Sequence, residues 1–489
     1  MGTTVFERQR PSAAIVDHAL SGTKQGVFWL EDAPGDAYPS LTSSTTADLV
    51  VVGGGYSGLW TALLAKRRNP DTSVVLLEAR TIGWAASGRN GGFAESSLTH
   101  GEENGRTRFP DEYDRLARLG RENLDAIEAI IHELKLDADW ERNGSIDLAI
   151  EPHQVEWLEE GAADADATDP DTVFLDEAAM QASVHSPTYL AGLWHTKDGA
   201  IVHPAKLARA LARACADAGV QLYERTPVTS LVTGGLRVEE GVDVRTAARD
   251  LTGRPSAAVV RAKKVALGTN VFPSLLKRNR LYTVPVYDYA LMTEPLSDEQ
   301  LDAIGWQGRQ GLGDSANQFH YYRLSADNRI LFGGYDAIYH YGARVRDEYE
   351  VRDATHRRLA EHFFTTFPQL DGLRFSHKWA GAIDTCSRFC AFYGTARDGR
   401  VAYATGFTGL GVAATHFGAD VMLDLLSGEQ TERTQLEMVR SKPLPFPPEP
   451  AASVGVNLMR WALNKADHNE GRRNLFLRTM DAVGLGFDS

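Results

Sequence analysis

A strand, a glycine-rich turn, a helix and a second strand follow one another near the start of the chain. The parts are the apolar run 47–52, the glycines Gly53, Gly55 and Gly58, the helical stretch 59–68, the strand-forming run 74–77 and Glu78. In such a unit the first glycine permits a tight turn, the second lets backbone approach a pyrophosphate, and the third lets helix and strand pack closely. The helix amino end then offers free N–H groups and a favourable dipole to phosphates. The sequence therefore predicts a dinucleotide site, which accounts for all these parts better than an unrelated glycine-rich turn does.

The amino-acid composition limits which binding partners and cellular locations are expected for the protein. The formal net charge of −14 argues against a nucleic-acid partner, which requires a basic face. The first thirty residues lack a basic-then-apolar leader, and no run of eighteen apolar residues predicts a membrane span. The three cysteines, Cys215, Cys386 and Cys390, are too few for a disulfide framework and have no partners at zinc-site spacing. We expect a cytoplasmic protein without a metal site.

Strand–turn–helix patterns recur in three separated blocks, which predicts an α/β (α+β) chain with a discontinuous Rossmann-type domain. We assign residues 46–135, 200–270 and 376–440 to this nucleotide-binding domain. The intervening blocks, 136–199 and 271–375, are rich in strand-forming residues and predict a β-sheet-rich substrate domain. Residues 1–45 are interpreted as an N-terminal arm that Phe28, Trp29 and Leu30 anchor, and residues 441–489 as a C-terminal tail.

A second glycine-rich loop after Glu78 distinguishes between the possible dinucleotides. The βαβ unit alone fits NAD and FAD equally, although the charge of Glu78 disfavours the 2′-phosphate of NADP. Residues 86–92, Ala-Ser-Gly-Arg-Asn-Gly-Gly, are unusual for an NAD domain, and their backbone N–H groups suit the pyrophosphate and ring side of a flavin. This loop favours FAD.

At these residues the chain resembles the FAD-dependent amine oxidases of the D-amino-acid oxidase superfamily, most of all the γ-glutamylputrescine oxidase-like branch. The segments that carry the resemblance are 51–59, 86–92, 199–204, 322–329, 379–381 and 406–412. They occur in family order from about residue 48 to 430, so the resemblance covers most of the chain. Together they specify the superfamily well and the substrate poorly.

The resemblance implies which residues bind FAD. On the ADP half it places Gly53, Gly55, Tyr56, Ser57, Gly58, Glu78, Ala79 and Arg80. On the phosphate and ring side it places Ser87, Gly88, Arg89, Asn90, Gly91 and Gly92, and around the adenine and the cofactor strand Val228, Gly268 and Thr269. Beside the flavin pyrimidine it places Gly406, Phe407, Thr408, Gly409, Leu410 and Gly411. A helix amino end in that last position stabilises negative charge on the reduced ring, although the loop alone is equally typical of a plain helix entry.

Non-covalent FAD is expected. Some relatives attach FAD through a cysteine, and an alignment without gaps puts Ile383 at that position. Cys386 lies three residues further on, where a buried small apolar side chain is the simpler interpretation.

The resemblance implies oxidation of a carbon–nitrogen bond, with hydride passing from the substrate carbon to flavin N5 and the imine then hydrolysed. The amine must arrive unprotonated, and desolvation lowers its pKa. The candidates for the substrate site are Tyr287, Tyr322, Arg323, Trp379 and His416. For Arg323 the alternatives are a bidentate contact with a carboxylate or phosphonate, or a surface ion pair; for His416, a flavin contact or packing; and for any single tyrosine the core of a sheet is the better interpretation.

The electron acceptor stays open between dioxygen and another acceptor. Sarcosine oxidase-type relatives carry a lysine that activates dioxygen, and residues 329–334, where we expect it, contain none, while Lys378 is the nearest lysine to another flavin-side segment. The leading hypothesis is an oxidase of small amines or amino acids that releases hydrogen peroxide. The alternatives are a secondary or D-amino-acid dehydrogenase that reduces a quinone or protein, an NAD-dependent dehydrogenase, and a non-enzymatic flavoprotein.

Overall fold

The computed structural model describes residues 2–165, 171–233, 241–249 and 255–482, which contain two large sheets. The longer helices are Ala13–Leu20, Tyr56–Arg68, Tyr113–Leu134, Pro152–Ala165, Pro204–Asp217, Asp353–Thr366, Gly411–Ser427, Ala451–Asp467 and Leu475–Ala482. The shorter ones are Val5–Arg8, Phe28–Asp32, Glu102–Arg108, Glu177–Ser183, Asp298–Ile304, Glu432–Gln435 and Glu437–Arg440.

The first sheet, of eight strands in the described residues, is parallel at its centre. Its parallel strands run in the order Gln221–Tyr223, Val74–Leu77, Thr45–Val52, Val259–Leu267 and Val401–Thr405. Phe392–Ala396 pairs antiparallel with Val401–Thr405, and the strands Val228–Val232 and Val242–Thr246 extend the other half of Val259–Leu267. Strands from three distant blocks of sequence thus meet in one sheet, in the discontinuous arrangement that the sequence predicts.

Helices cover one face of this sheet because their apolar residues recur at helical spacing. Tyr113–Leu134 buries Leu116, Leu124 and Ile127 along one side. Pro204–Asp217 begins with proline at its first turn, with the ring of His203 accepting the N–H of Lys206 at 3.2 Å. Together with Tyr56–Arg68 and Gly411–Ser427, these helices share one hydrophobic core with the sheet.

The second sheet contains ten strands in the described residues and is largely antiparallel. Its order is Lys24–Gln25, Phe375–Thr385, Val284–Thr293, Ile330–Gly334, His320–Leu324, Gly311–Asp314, Ser145–Ala149, Ala191–His195 and Thr172–Leu175, with Ile338–Tyr339 beside Val284–Thr293. Phe375–Thr385 lies in this sheet, although most of its residues fall in the range assigned to the nucleotide-binding domain. The domain boundaries themselves stay a prediction.

The N-terminal arm is built into the second sheet. Lys24–Gln25 pairs in parallel with His377 and Lys378. Trp29 is fully buried, and the ring of Phe6 stacks on His362 with centroids 4.2 Å apart. The arm is therefore a structural part of the fold, with Trp29 as an anchor.

Two small pairings complete the described strands. Phe93–Glu95 pairs with Gly199–Ile201, and Ala248–Arg249 pairs with Pro255–Ser256. Within the described ranges, no helix is both long and apolar enough to cross a membrane.

Candidate functional site

A cavity of about 2570 Å³ lies between the two sheets and receives residues from all three predicted nucleotide segments. Its wall contains the predicted cofactor residues except Gly58, Gly88 and Gly406. Those three glycines lie behind the wall, where a side chain has no room. A Cβ at Gly88, for example, would lie 2.1 Å from the carbonyl oxygen of Gly83.

The first glycine turn leaves a concave wall at the start of helix Tyr56–Arg68. Gly53 has a φ of +111°, which favours glycine, and a Cβ there would lie 2.4 Å from the carbonyl oxygen of Gly268. Gly55 caps the helix, and the hydroxyl of Ser87 accepts the N–H of Tyr56 at 2.9 Å. A Cβ at Gly55 would approach that hydroxyl to 2.8 Å. The second glycine loop therefore closes onto the first and leaves a cradle that fits a pyrophosphate.

Glu78 lines the cavity beside this turn and holds it. Its carboxylate accepts the N–H of Gly54 and of Arg80, each at 2.7 Å, and the indole N–H of Trp84 at 3.0 Å. Burial raises the pKa of Glu78. Nearby, the buried Oγ of Ser57 and Oδ1 of Asn270 have no hydrogen-bond partner among the described residues. Polar atoms buried without partners at the wall are what a polar nucleotide would satisfy, so the residues present fit FAD.

The loop 86–92 is tied to the second sheet through Arg89. The Arg89 guanidinium donates to the carbonyl oxygens of Trp84 at 2.9 Å and Ala380 at 3.1 Å, and it pairs with Glu350 at 2.6 Å. The indole N–H of Trp379 donates to the carbonyl oxygen of Arg89 at 2.9 Å. These bonds fix the ring-side loop against strand Phe375–Thr385.

The last glycine turn is fastened by a buried carboxylate that the sequence did not single out. Asp384 is 2 % exposed and accepts the N–H of Gly406 at 2.6 Å and that of Phe407 at 3.3 Å. Burial raises its pKa to about 6. Thr408 and Gly409 both have positive φ, and helix Gly411–Ser427 starts directly after them with its amino end at the cavity.

Two of the five predicted substrate-site residues line the cavity. Trp379 lines the cavity beside loop 86–92, where its indole N–H is bound to the carbonyl oxygen of Arg89. Tyr287 reaches the cavity, but its hydroxyl donates to the carbonyl oxygen of Arg346 at 3.2 Å and accepts the Arg346 N–H at 3.0 Å. Tyr287 therefore also holds the segment that follows strand Ile338–Tyr339.

The other three are placed elsewhere. Tyr322 is 1 % exposed, and its hydroxyl accepts that of Tyr189 at 2.9 Å within the core of the second sheet. His416 lies between helices, 2.8 Å from Asn123 Oδ1, and burial lowers its pKa to about 4. Arg323 is 2 % exposed, and its guanidinium carbon lies over the ring of Trp29, 4.7 Å from the ring centroid. None of the three lines the cavity, which corrects their assignment to the substrate site. The phase of the strand and of the helix places Tyr322 and His416 in the buried interior, and the Arg323 guanidinium is bound to backbone carbonyl oxygens.

Arg323 fixes the loop rather than a substrate. Its guanidinium donates to the carbonyl oxygen of Gly91 at 2.9 Å and of Val202 at 2.8 Å.

We expect Arg323→Met to lower the free energy of unfolding by about 2–4 kcal/mol, because two buried acceptors lose their donors. Urea unfolding measures this change. Arg357→Met, which removes an exposed pair with Asp17, should stay within about 1 kcal/mol of wild type, and equal losses in both variants would contradict the assignment.

The cavity wall also contains two carboxylates, those of Glu95 and Asp147, that the sequence does not single out. Burial raises the pKa of Glu95 to about 7. Burial opposes protonation of His195, yet its hydrogen bond with Asp147, at 3.3 Å, and the charge of Asp147 raise its pKa to about 9. Among the described residues, no group of three or more histidine, cysteine, aspartate or glutamate side chains is arranged to hold a metal ion.

The C-terminal tail closes one side of the cavity. Helices Ala451–Asp467 and Leu475–Ala482 contribute Met459, Arg460 and Phe476 to the wall. The carboxylate of Asp467 accepts the N–H of Asn317 at 2.9 Å, which joins the tail to the second sheet.

Comparisons with known proteins agree with this nucleotide site. Residues 48–425 match the family described as FAD dependent oxidoreductase (DAO). The γ-glutamylputrescine oxidoreductase of Escherichia coli is 32% identical over 80% of this chain and 86% of its own, and a probable oxidoreductase OrdL of Haemophilus influenzae is 28% identical over 80% and 85%. The crystal structure of glycine oxidase from Geobacillus kaustophilus superposes with a TM-score of 0.63 at 18% identity, covering 81% of this chain and 99% of that one.

The fold and the site thus define an FAD-dependent oxidoreductase. The chain belongs to the DAO family, which confirms the resemblance, the fold class and the FAD cofactor that the sequence predicts. An NAD-dependent dehydrogenase and a non-enzymatic flavoprotein are set aside by this membership.

Proposed function

We propose that this enzyme oxidises the carbon–nitrogen bond of a small amine or amino acid and passes the electrons to dioxygen, giving hydrogen peroxide. The observation that carries the proposal is the cavity wall beside loop 86–92, where Trp379 and Asp288 both line the cavity on paired strands, Trp379 opposite Ala290 and Asp288 opposite Gly381. An aromatic wall with a carboxylate suits an apolar carbon that bears an ammonium group. The 32% identity to a γ-glutamylputrescine oxidoreductase supports the same substrate class.

Bound FAD supplies the acceptor for the hydride of the carbon beside the nitrogen, and the resulting imine is hydrolysed by water. The chain's own residues bind and orient. Glu78, Ser87 and the helix amino end would hold the nucleotide, and Trp379 would limit the substrate pose because the carbonyl oxygen of Arg89 fixes its indole. The aromatic and glycine-lined walls exclude water, which lowers the pKa of a bound ammonium and favours the free amine.

The proposal includes non-covalent FAD. Cys386 is buried outside the cavity wall, and its thiol faces the carbonyl oxygen of Cys390 at 3.1 Å, while Ile383 occupies the wall. Burial raises the pKa of Cys386, so its reactive thiolate is disfavoured.

Because the described cysteines are all unpaired, we also place the enzyme in the cytoplasm.

A second acceptor class is retained because of one observation. No lysine from the described ranges lines the cavity, and Lys378 pairs with Asp353 at 2.9 Å instead. The lysine that activates dioxygen in sarcosine oxidase-type relatives thus has no counterpart in this wall. This observation supports a second candidate, a secondary or D-amino-acid dehydrogenase that reduces a quinone or a protein.

Anaerobic bleaching of the flavin tests the proposal. Purified enzyme is mixed with polyamines, γ-glutamylated amines, N-methyl amino acids, D-amino acids and aminophosphonates, and the flavin absorbance is followed. We expect at least one class to reduce the flavin; admission of air then distinguishes peroxide release from an acceptor that needs a quinone dye. Flavin that no amine reduces would contradict the proposed function, and flavin that stays with acid-precipitated protein would contradict non-covalent binding.

A further inference from the structure

One carboxylate, that of Asp288, lies in a largely apolar strand of the cavity wall. Along Val284–Thr293, residues Val284, Val286, Asp288 and Ala290 line the cavity, while Tyr287, Tyr289 and Leu291 belong to the hydrophobic core on the other face, from which Tyr287 also reaches the cavity. This alternation follows from the period of two in a strand. Asp288 is therefore presented to the cavity by the sheet itself, not by a mobile loop.

Tyr321 reaches Asp288 across an intervening strand because two glycines make room. Tyr321 pairs with Gly333, and Gly333 pairs with Ala290, so one strand separates the two residues. A Cβ at Gly333 would lie 2.6 Å from the Tyr321 hydroxyl oxygen, and one at Gly91 would lie 2.6 Å from its ring. The Tyr321 hydroxyl donates to Asp288 Oδ2. The tyrosine is thus packed between the sheet and the ring-side loop.

Both members of this pair adjoin the loop that faces the flavin ring. Tyr321 packs on Gly91, and Asp288 pairs with Gly381 on the neighbouring strand. The aliphatic carbons of the Arg89 side chain cover the position that a Cβ at Gly381 would take. Asp288 and Tyr321 both line the cavity. A substrate carbon held against the 86–92 loop therefore has the Asp288 carboxylate as a neighbour.

The charges around Asp288 leave its carboxylate available to a cation. Burial raises its pKa to about 6, against the hydrogen bonds of Tyr321 and of the Tyr289 and Gly334 amides, which favour the ionised form, as does the charge of His320. The nearest guanidinium on the facing loop, that of Arg89, is bound to Glu350. The carboxylate is held by a hydroxyl and amides rather than by a lysine or arginine.

We propose that Asp288, oriented by Tyr321, binds the substrate ammonium and accepts the proton that the nitrogen must lose before the carbon is oxidised. This inference rests on the proposed function. In the step, one N–H bond of R–NH₃⁺ breaks and one O–H bond forms on the Asp288 carboxylate, giving R–NH₂ and a neutral carboxylic acid with no change in electron count. Tyr321 acts as a positioning residue, because its hydroxyl touches Asp288.

The pH dependence of anaerobic flavin reduction tests this role with the holoenzyme. An alkylamine with a pKa of about 10 is unprotonated in only about 1 part in 10³ at pH 7. In wild type, the second-order rate constant should rise through a pKa near 6 and then stay level up to the amine pKa. In Asp288→Asn it should fall by about 10²–10³-fold at pH 7 and rise about tenfold per pH unit up to the amine pKa.

Two further variants separate a chemical role from a structural one. Tyr321→Phe removes a hydrogen bond to the ionised carboxylate, so the acidic limb should move to higher pH while the fast rate returns at high pH. Tyr289→Phe is the matched control: it removes a buried hydroxyl, bonded to the Tyr349 carbonyl oxygen at 2.8 Å, from the other face of the same strand. Its pH profile should equal that of wild type.

A binding readout is independent of turnover. tert-Butylamine carries an ammonium group but no hydrogen on the adjacent carbon, so it cannot be oxidised. We expect Asp288→Asn to bind it at least tenfold more weakly than wild type at pH 8, as measured by the flavin difference spectrum. Equal affinity in both proteins, including none in either, or an Asp288→Asn pH profile parallel to wild type, would overturn the inference. Wild-type flavin that no amine reduces would instead reject the proposed function, while tert-butylamine still tests the site.

Discussion

The Gly58→Ala variant should fold and yet retain almost no FAD. A Cβ at Gly58 would lie 1.9 Å from the carbonyl oxygen of Gly53 and 3.2 Å from Cγ1 of Val51. The close contact is with backbone, so no side-chain rotation relieves it. Helix Tyr56–Arg68 must move away from the strand that precedes it, and its amino end moves with it. That end is where the pyrophosphate is expected to bind.

The expected effect follows from the size of this shift. An ordinary contact between carbon and oxygen requires a displacement of roughly 1 Å or more, which is large for a site that must be held in place within about 0.5 Å. We expect FAD affinity to fall about 100-fold or more, which corresponds to about 3 kcal/mol. Fluorescence titration of the apoprotein with FAD measures this affinity, and circular dichroism checks that the apoprotein is folded.

Gly455→Ala provides the matched control. Gly455 lies within helix Ala451–Asp467, and no heavy atom lies within 4 Å of the position a Cβ would take. Alanine is the better helix former, so this variant should keep its FAD and its stability. A Gly58→Ala protein that binds FAD as tightly as Gly455→Ala would show that the close approach at Gly58 is dispensable.

The nucleotide unit was predictable because its determinants are local. The glycine spacing specifies backbone approach within a short stretch of chain, and the strand Val74–Leu77 has the bounds that its apolar run indicates. The same holds for the start of helix Pro204–Asp217, which a proline marks. In each case one stretch of sequence contains the whole physical reason for the structure.

Side-chain direction in the second sheet was not predictable from the sequence. Tyr321 and Tyr322 are adjacent, so they must face opposite sides, but only the packed sheet decides which one faces the cavity. The tyrosine that the sequence predicts at the substrate site is Tyr322, whereas Tyr321 lines the cavity. Asp288 did carry a local signal, since an acid within an apolar alternating strand needs a reason to be there.

Contacts between residues that are distant in sequence could not be predicted from the sequence either. Lys24–Gln25 joins strand Phe375–Thr385 across more than three hundred residues, and no local pattern encodes this partner. Asp384 was missed for a related reason. Its function depends on Gly406 and Phe407, which come next to it only when strand and turn are packed together.

Removal of the Asp384 carboxylate should therefore release the last glycine turn. In Asp384→Ala the N–H groups of Gly406 and Phe407 lose their acceptor in a buried place, at a cost of about 1–3 kcal/mol each. The turn 406–411 leads into helix Gly411–Ser427, whose amino end faces the cavity. A loosened turn weakens FAD binding and the fold together, because the same bonds support both.

Asp384→Asn separates the lost acceptor from the lost charge. An amide oxygen can still accept the Gly406 N–H, so this variant should bind FAD within about tenfold of wild type, whereas Asp384→Ala should lose about 100-fold. FAD titration and thermal unfolding of both variants, side by side, measure the difference. If Asn weakened FAD binding as much as Ala did, the charge of Asp384 would be the important property. If neither variant differed from wild type, the carboxylate would not be what holds the turn, and the helix amino end would have to be positioned by packing alone.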